Sequence, residues 1–296
     1  MNLFNRVAEV IVAPPGSKIG TSFKGFRTHF SVDKTTEYTA NDATISLYNL
    51  SPAHRTYLES ADMQNPNKTL VAILNAGYLG IGANDSLIGT IYVGDIFYTS
   101  TERQGADTIT KMILKDGGAC LNQCYMNITF PSATMASALV DYMCRQMQSQ
   151  FKLTYTRPSF LSINDYQYVS PTGLLGPVAK NMNDIVPRLG LRWSIQNGAI
   201  VFQQPKVQAP KTVVLSKDTG MIGIPVKREN GNIEATSLLN PTIYPGMSVN
   251  IISSVESAFS KNNAKLNNTY NVERALYEGD SYEGDWTVKI EGRKAA

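Results

Sequence analysis

Histidine is nearly absent from this chain: two residues, His29 and His54, in 296. Catalytic arrangements that need imidazole as base, shuttle or metal ligand are thereby left almost without material. His29 falls in an alternating strand pattern and His54 two residues after Pro52, so each reads as a surface or packing residue. Cysteine is scarce too. Cys120, Cys124 and Cys144 make an odd set without the CxxC spacing of a zinc site, which points to reduced, mostly buried thiols. No HExxH, GxSxG or Walker A motif occurs. Gly77, Gly80 and Gly82 lack the further glycine and the lysine of a phosphate loop and read as a mobile loop. No cofactor is expected. Long apolar runs are missing as well, which excludes a membrane-spanning helix and predicts no stable membrane association. In MNLFNRVAEVIVAPPG the apolar segment after Arg6 is short and broken by Glu9, unlike a signal peptide, so synthesis and folding in the cytoplasm are expected. Charge is sparse at 17% of residues, against 43% hydrophobic, as for a chain whose surface is partly covered by partners, although abundant Ser, Thr and Asn can replace charges on an exposed β surface. The 27 basic and 24 acidic residues give +3 and form no dense basic run, so nonspecific DNA binding is not expected.

What the chain does have is alternation. In YTANDATISLYNLSP, from Tyr38 to Pro52, Ala43, Ile45 and Leu47 share one face, continued by Asn49, while Thr44, Ser46 and Tyr48 share the other. That is the period of a half-buried strand. Asn49, Ser51 and Pro52 then supply turn chemistry, and Pro52 suits the first position of a short helix over His54 to Ser60. Ala8, Val10 and Val12 share a face earlier in the chain, as do Phe26, Thr28, Phe30 and Val32, and a strand ending in Ala-Gly-Tyr78 follows. LIGTIYVGDIFYTS, Leu87 to Ser100, carries Gly89 and Gly94 inside it, where bulges are expected, and pairs with Asp107 to Gly117.

Character changes at Gly117-Gly118. Ser132 or a neighbour can cap a helix whose stripe is Met135, Leu139, Tyr142, Met143 and Met147, a core-packing face. A second helix begins near Gly176-Pro177 with Val178, Met182, Ile185 and Leu189 on one side, is distorted at Pro187 and stops at Gly190. Asn197-Gly198 is a hairpin signal. The last third returns to β, with about six strands, an Asn230-Gly231 turn and a terminal pair NTYNVERALYEGD and GDWTVKIEG. Glu273, Glu278, Asp280, Glu283 and Asp285 crowd around one hairpin turn; a solvated acidic loop explains them without glycoside hydrolysis. Tyr277, Tyr282 and Trp286 interleave with them and suit either a sugar ring or a partner contact.

The order of several words resembles one family. ISLYNLSP, NAGY, KDGG, the strand pair from Trp193 to Phe202, SKDTGMIGIP from Ser216 and SLLNP-x-I-x-PGM from Ser237 together look like a bacteriophage tail baseplate hub protein. The resemblance implies a mainly β (α+β) fold: two tail-tube-like antiparallel β-barrels, over 1–118 and 206–296, flanking a small inserted α/β domain over 119–205. It implies a structural, non-enzymatic virion protein: a homotrimeric ring matching the sixfold tail tube to the threefold central spike. Implied partners are the spike, the tail tube or a tube-initiator protein, the tape measure protein and other baseplate proteins, with DNA only in transit. Strand pairing across subunits would suit such a ring. Thr44, Ser46, Tyr48, Tyr78, Tyr277, Tyr282 and Trp286 are the candidate interface residues, and Thr44, Ser46 and Tyr48 would face a channel or a neighbouring subunit. A carbohydrate-binding module and a wall hydrolase of the tail tip are the alternatives.

Overall fold

The computed structural model describes residues 5–17, 19–63, 65, 68–80, 86–205, 207–229, 231–253 and 266–295. Strands dominate both ends of the chain: β1 (Arg6–Ala13), β2 (Thr21–Lys24), β3 (Thr28–Thr35), β4 (Asp42–Tyr48), then helix α1 (Pro52–Glu59), β5 (Val71–Tyr78), β6 (Leu87–Gln104) and β7 (Asp107–Lys115). The middle holds α2 (Gly118–Gln123), β8 (Tyr125–Phe130), α3 (Ala136–Phe151), β9 (Thr172–Pro177), α4 (Val178–Ile185), β10 (Arg192–Gln196) and β11 (Ala199–Gln203). The last part is β12 (Thr212–Ser216), β13 (Met221–Lys227), β14 (Ile233–Leu238), β15 (Ser248–Ile252), β16 (Asn268–Asp280) and β17 (Trp286–Lys294).

The alternating words become strands in the expected sense. Ala43, Ile45 and Leu47 are buried on β4, with Ile45 set between Phe30 of β3 and Met112 of β7. Asn49 departs from that pattern. It lies past the strand at φ 57°, a left-handed conformation that Asn tolerates, and bonds across to β7 through Asp107 Oδ1 (2.9 Å) and the N–H of Thr108 (2.9 Å). Ser51 Oγ then accepts from the N–H of His54 (3.3 Å) and Pro52 opens α1, which explains the turn chemistry of this word.

In β6 the bulges fall elsewhere than at the glycines. The register slips at Ile91 against β5 and at Phe97 against β7, whereas Gly89 and Gly94 pair regularly with Ala76 and Ala72. The glycines are there for close approach: a Cβ on Gly94 would lie 2.7 Å from the Tyr92 ring, and one on Gly89 3.0 Å from Pro241. Gly77, expected in a loop, belongs to β5; Gly82 lies outside the described residues.

The mainly β class is as expected, and the pairing adds a feature the sequence does not announce. One 13-stranded sheet runs β13-β14-β17-β16-β3-β4-β7-β6-β5-β1-β2, with β15 and β12 branching from β16. Among the described residues its ladder does not close into a barrel, and β12 pairs with β15 in parallel. The first and last β regions share strands because β16 is long. Its first residues pair with β15, and after a register slip at Glu273 the rest pair with β3, Arg274 with Thr35 through Asp280 with His29. One apolar cluster accordingly contains Val10, Phe30 and Leu74 together with Tyr277, Trp286 and Ile290.

The middle segment has its own apolar cluster, from Cys120 to Phe202. Leu139, Met143 and Met147 of α3 are buried in it as the helical stripe requires, and the three cysteines are buried and unpaired. Two details differ from expectation. Met135 is the N-cap and is 39% exposed rather than part of the stripe. The helix is capped by Asp165 rather than by Ser132: its carboxylate accepts from the N–H of Ser137 (2.9 Å) and from the Ser137 hydroxyl. A side chain 28 residues away does what a local Ser was expected to do. The second helix starts at Val178 after Pro177, gives way to a 3-10 turn over Val186–Leu189 and ends at Gly190 (φ 73°). Asn197 and Gly198 take φ 53° and 74°, the hairpin geometry their pair favours. At the later turn Asn230 is outside the described residues, and the N–H of Gly231 bonds the Arg228 carbonyl (2.9 Å).

Candidate functional site

Where β16 turns into β17, the hairpin meets the start of β3 and the end of β4. Arg27, just before β3, is the organising residue. Its Nε and Nη2 donate to Asp280 Oδ2 (3.1 and 2.8 Å) and Nη2 also donates to Glu283 Oε1 (2.8 Å). Its guanidinium lies 4.8 Å from the Tyr48 ring and 5.9 Å from the Tyr282 ring. Asp280 Oδ1 accepts the N–H of Tyr282 (2.8 Å), and Ser281 and Thr28 exchange two bonds, N–H to carbonyl at 3.0 Å and N–H to hydroxyl at 2.9 Å. The turn is thus tied to the first β region by groups about 250 residues away in sequence.

Burial works against the Asp280 carboxylate, but hydrogen bonds from Arg27 and the Tyr282 N–H, with the charge of Arg27, outweigh it and hold its carboxyl below the usual range. With the folded value depressed, this contribution to stability is complete above about pH 4 and is lost only as pH falls through the folded value. A carbon NMR titration is expected to find the Asp280 midpoint below that of free aspartate. In an Arg27→Met variant burial acts with much less opposition and the midpoint rises; an unmoved midpoint would refute this role for Arg27.

Beside the turn lies a cavity of about 890 Å³ lined by Arg6, Tyr78, Leu79, Tyr282, Asp285 and Trp286, among others. Arg6 donates from Nη1 to the Asp280 carbonyl (3.1 Å) and lies 5.6 Å from the Trp286 ring.

The seven candidate residues therefore separate. Tyr48 and Tyr282 meet around Arg27, and Tyr282 is 73% exposed. Tyr78 and Trp286 reach the cavity only as its floor, each 2% exposed, and Tyr277 is a core residue whose hydroxyl donates to the Ile243 carbonyl. These three are corrected from exposed contacts to interior packing, because strands from both β regions close over them. Thr44 is half-buried on β4 and Ser46 is buried between His29 and Lys111; neither lines the cavity. Arg27 escaped sequence reading because its partners are remote; the only cue was an acidic turn with no nearby base.

The acidic cluster also divides. Glu273 and Glu278 lie within β16, not at the turn, and Glu273 pairs with Arg192 (3.0 Å) and Arg293 (3.4 Å). Asp280 and Glu283 share Arg27. His54 packs its ring edge-on to Phe23 at 5.2 Å, while His29 is exposed on β3. Among the described residues, no three His, Cys, Asp or Glu side chains form a metal-ligand set, and no helix is long and apolar enough to cross a membrane.

Comparison with known proteins decides what this architecture is. A family described as "Baseplate hub gp41" matches residues 15–292. The chain belongs to this baseplate hub family. Among solved structures the hub is similar to the 43 kDa tail protein of prophage MuSo2 from Shewanella oneidensis, with TM-score 0.61, 9% identity, and coverage of 97% of this chain and 96% of that one. It is similar to the tail protein from Neisseria meningitidis MC58, with TM-score 0.56, 9% identity and the same coverages. A third is the E. coli c3393 protein, a type VI secretion component described as structurally similar to T4 tail proteins gp27 and gp5: TM-score 0.55, 10% identity, 92% of this chain and 74% of that one. No curated protein matches in sequence. At these identities the likeness is one of fold. The hub is a structural tail protein, and the family implies a place in the virion tail.

Proposed function

We propose that the hub assembles as a homotrimeric ring between a sixfold tail tube and a threefold central spike, and that the ring forms part of the passage for tape measure protein and DNA. The family match over nearly the whole chain carries this reading. Two tube-like β regions per subunit, residues 1–118 and 206–296, would present six similar surfaces on one side and three on the other. Open strand edges support it. The outer edges of β13, β2 and β12 pair with nothing among the described residues, and β13 exposes Ile222, Ile224 and Val226 at 43–47%. A neighbouring strand added there would satisfy main-chain groups and cover those side chains.

Tyr282, with Tyr48 and Thr44, is the proposed contact with a neighbour or with the spike, tube-initiator or other baseplate proteins. The sheet's outer side chains pair with one another, Lys289 with Glu234 (2.8 Å), Arg274 with Asp33 (2.6 Å) and Glu291 (3.3 Å). DNA in transit would meet no continuous basic track, which suits passage rather than binding. The proposed role is structural rather than catalytic, a reading supported by the engagement of Asp280 and Glu283 with Arg27. Assembly takes place in the host cytoplasm.

Native mass measurement of the hub with its spike is expected to give three hub copies, seen as a ring by electron microscopy. A strictly monomeric hub that binds neither spike nor tube protein would overturn the proposal. In the same assay Tyr282→Ala is expected to weaken assembly about 30-fold, the scale of an aromatic anchor worth about 2 kcal/mol.

A further inference from the structure

We infer that the inserted unit, residues 117–203, is a hinged lobe, docked on the sheet through a polar joint that can open while both cores stay folded. Its apolar cluster contains residues 120 to 202 and none from the sheet; the sheet's cluster contains none from the lobe. What connects the two is hydrogen bonding at α2, where the Ala119 N–H donates to Asp95 Oδ2 (3.0 Å) and Gln123 Nε2 donates to the Met63 carbonyl (3.0 Å), and around the β10–β11 turn. Lys34 of β3, 1% exposed, donates from Nζ to Asn197 Oδ1 (2.7 Å) and the Ile91 carbonyl (3.2 Å). Asp116, fully buried at the end of β7, accepts the N–H groups of Asn197 (2.6 Å) and Gly198 (2.9 Å). Asn41 donates to the Ile195 carbonyl (2.8 Å) and is itself bonded through its own carbonyl to Tyr92 (2.6 Å); Gln196 donates to the Thr35 carbonyl (2.6 Å). Apolar contact across the joint includes Met63 of the sheet side against Gly118 and Val93 of β6 near Gly198.

Such a joint is weak for its size. Apolar burial holds two bodies together without a desolvation cost, whereas buried charges must recover theirs from each other. Burial pushes Lys34 down to about 8 and Asp116 up to about 6, each toward its neutral form, so both charges carry a desolvation cost in the folded protein. Two buried polar atoms beside the joint, Gln196 Oε1 and Gln203 Nε2, have no hydrogen-bond partner among the described residues. Farther out, Arg192 of the lobe meets Glu273 of the sheet at 3.0 Å, next to a cavity of about 290 Å³ between Phe160 and Phe202 on one side and Gly246 and Val272 on the other. The chain crosses the joint at Gly117, in the left-handed conformation (φ 64°), and returns to the sheet side after β11. These features describe a contact that specifies one docked position and resists opening only modestly.

Distance measurement between probes on Ser149→Cys of α3 and Glu278→Cys of β16 tests this on the isolated chain, independently of copy number. Arg192→Gln, which removes a half-exposed tie, and Asp116→Asn, which turns one of the two oxygens accepting the Asn197 and Gly198 N–H groups into an amide donor and leaves Lys34 without its countercharge, are made singly and together. Cutting both ties is expected to raise the population of a second, altered distance at least tenfold, with the amide protection of α3 unchanged. An unaltered single distance with both ties cut would overturn the inference. So would a second distance that arises only with loss of α3 protection, since the lobe would then be unfolding rather than swinging. Arg192→Gln alone, at a residue outside both cores, keeps the test decisive should Asp116→Asn fold poorly: it is expected to raise the second population several-fold, and no rise would count against the hinge.

Discussion

Replacing Trp286 by alanine is expected to lower the unfolding free energy by about 3–5 kcal/mol, read from urea denaturation followed by far-UV circular dichroism. Trp286 opens β17 directly opposite Gly279 of β16, and on the other side of Gly279 stands Phe30 of β3. With no side chain on Gly279, the two rings meet above it at 5.3 Å and 66°. A Cβ at Gly279 would strike Phe30 and lie 2.7 Å from Trp286, so the three residues form one fitted unit. Its location gives the substitution its weight. The last strand of the chain and the third are held here around β16, and Arg6 of β1 lies over the same indole. Removing the indole leaves a cavity at that junction and unseats Arg6. Trp286→Phe keeps a ring over Gly279 and is expected to cost about 1–2 kcal/mol less than alanine, by the difference in volume lost. A cost below about 1 kcal/mol for alanine would mean that the indole is not packed as described.

Gly77→Ala is expected to have a comparable effect, about 3–5 kcal/mol, from a different cause. Gly77 sits in β5 at φ 154°, which side-chain-bearing residues rarely adopt. Its would-be Cβ falls on the carbonyl of Leu87, with Ile88 Cα 2.9 Å away, and both are backbone of the partner strand β6. Nothing at that position can swing aside, so the strands must part. Amide exchange should therefore show the damage first at the Tyr78–Leu87 end of the β5–β6 ladder, with the inserted lobe unaffected. Retention of wild-type stability and of protection at that end would show that the ladder does not close there.

Much of the fold was legible because its signals are local. Alternation in Ala43, Ile45 and Leu47, Pro52 after Ser51, and Asn197-Gly198 each depend on neighbours within a few residues, and each forms the expected element. The switch in period at Gly117-Gly118 was legible too, and a helix, α2, begins there at Gly118. Failures came where the deciding partner is distant. Asp165 caps α3 in place of Ser132, and Gly89 is required by the close approach of Pro241 rather than by a bulge. Candidate contacts fared the same way: tyrosine and tryptophan suit interiors and interfaces equally, so composition could not distinguish exposed Tyr282 from buried Tyr277 and Trp286.

The sequence by itself determined the β-rich class, the change of character at Gly117-Gly118 and the family, because strand periodicity, turn residues and ordered motifs are carried by contiguous residues. Only the tertiary structure decided that β3 and β16 join the first and last β regions in one sheet, that Arg27 holds the acidic turn, and that Lys34 and Asp116 face the inserted hairpin. Each of those contacts spans some 80 to 250 residues. Chain reversal and burial bring such partners together, and no local pattern records which distant side chain will arrive.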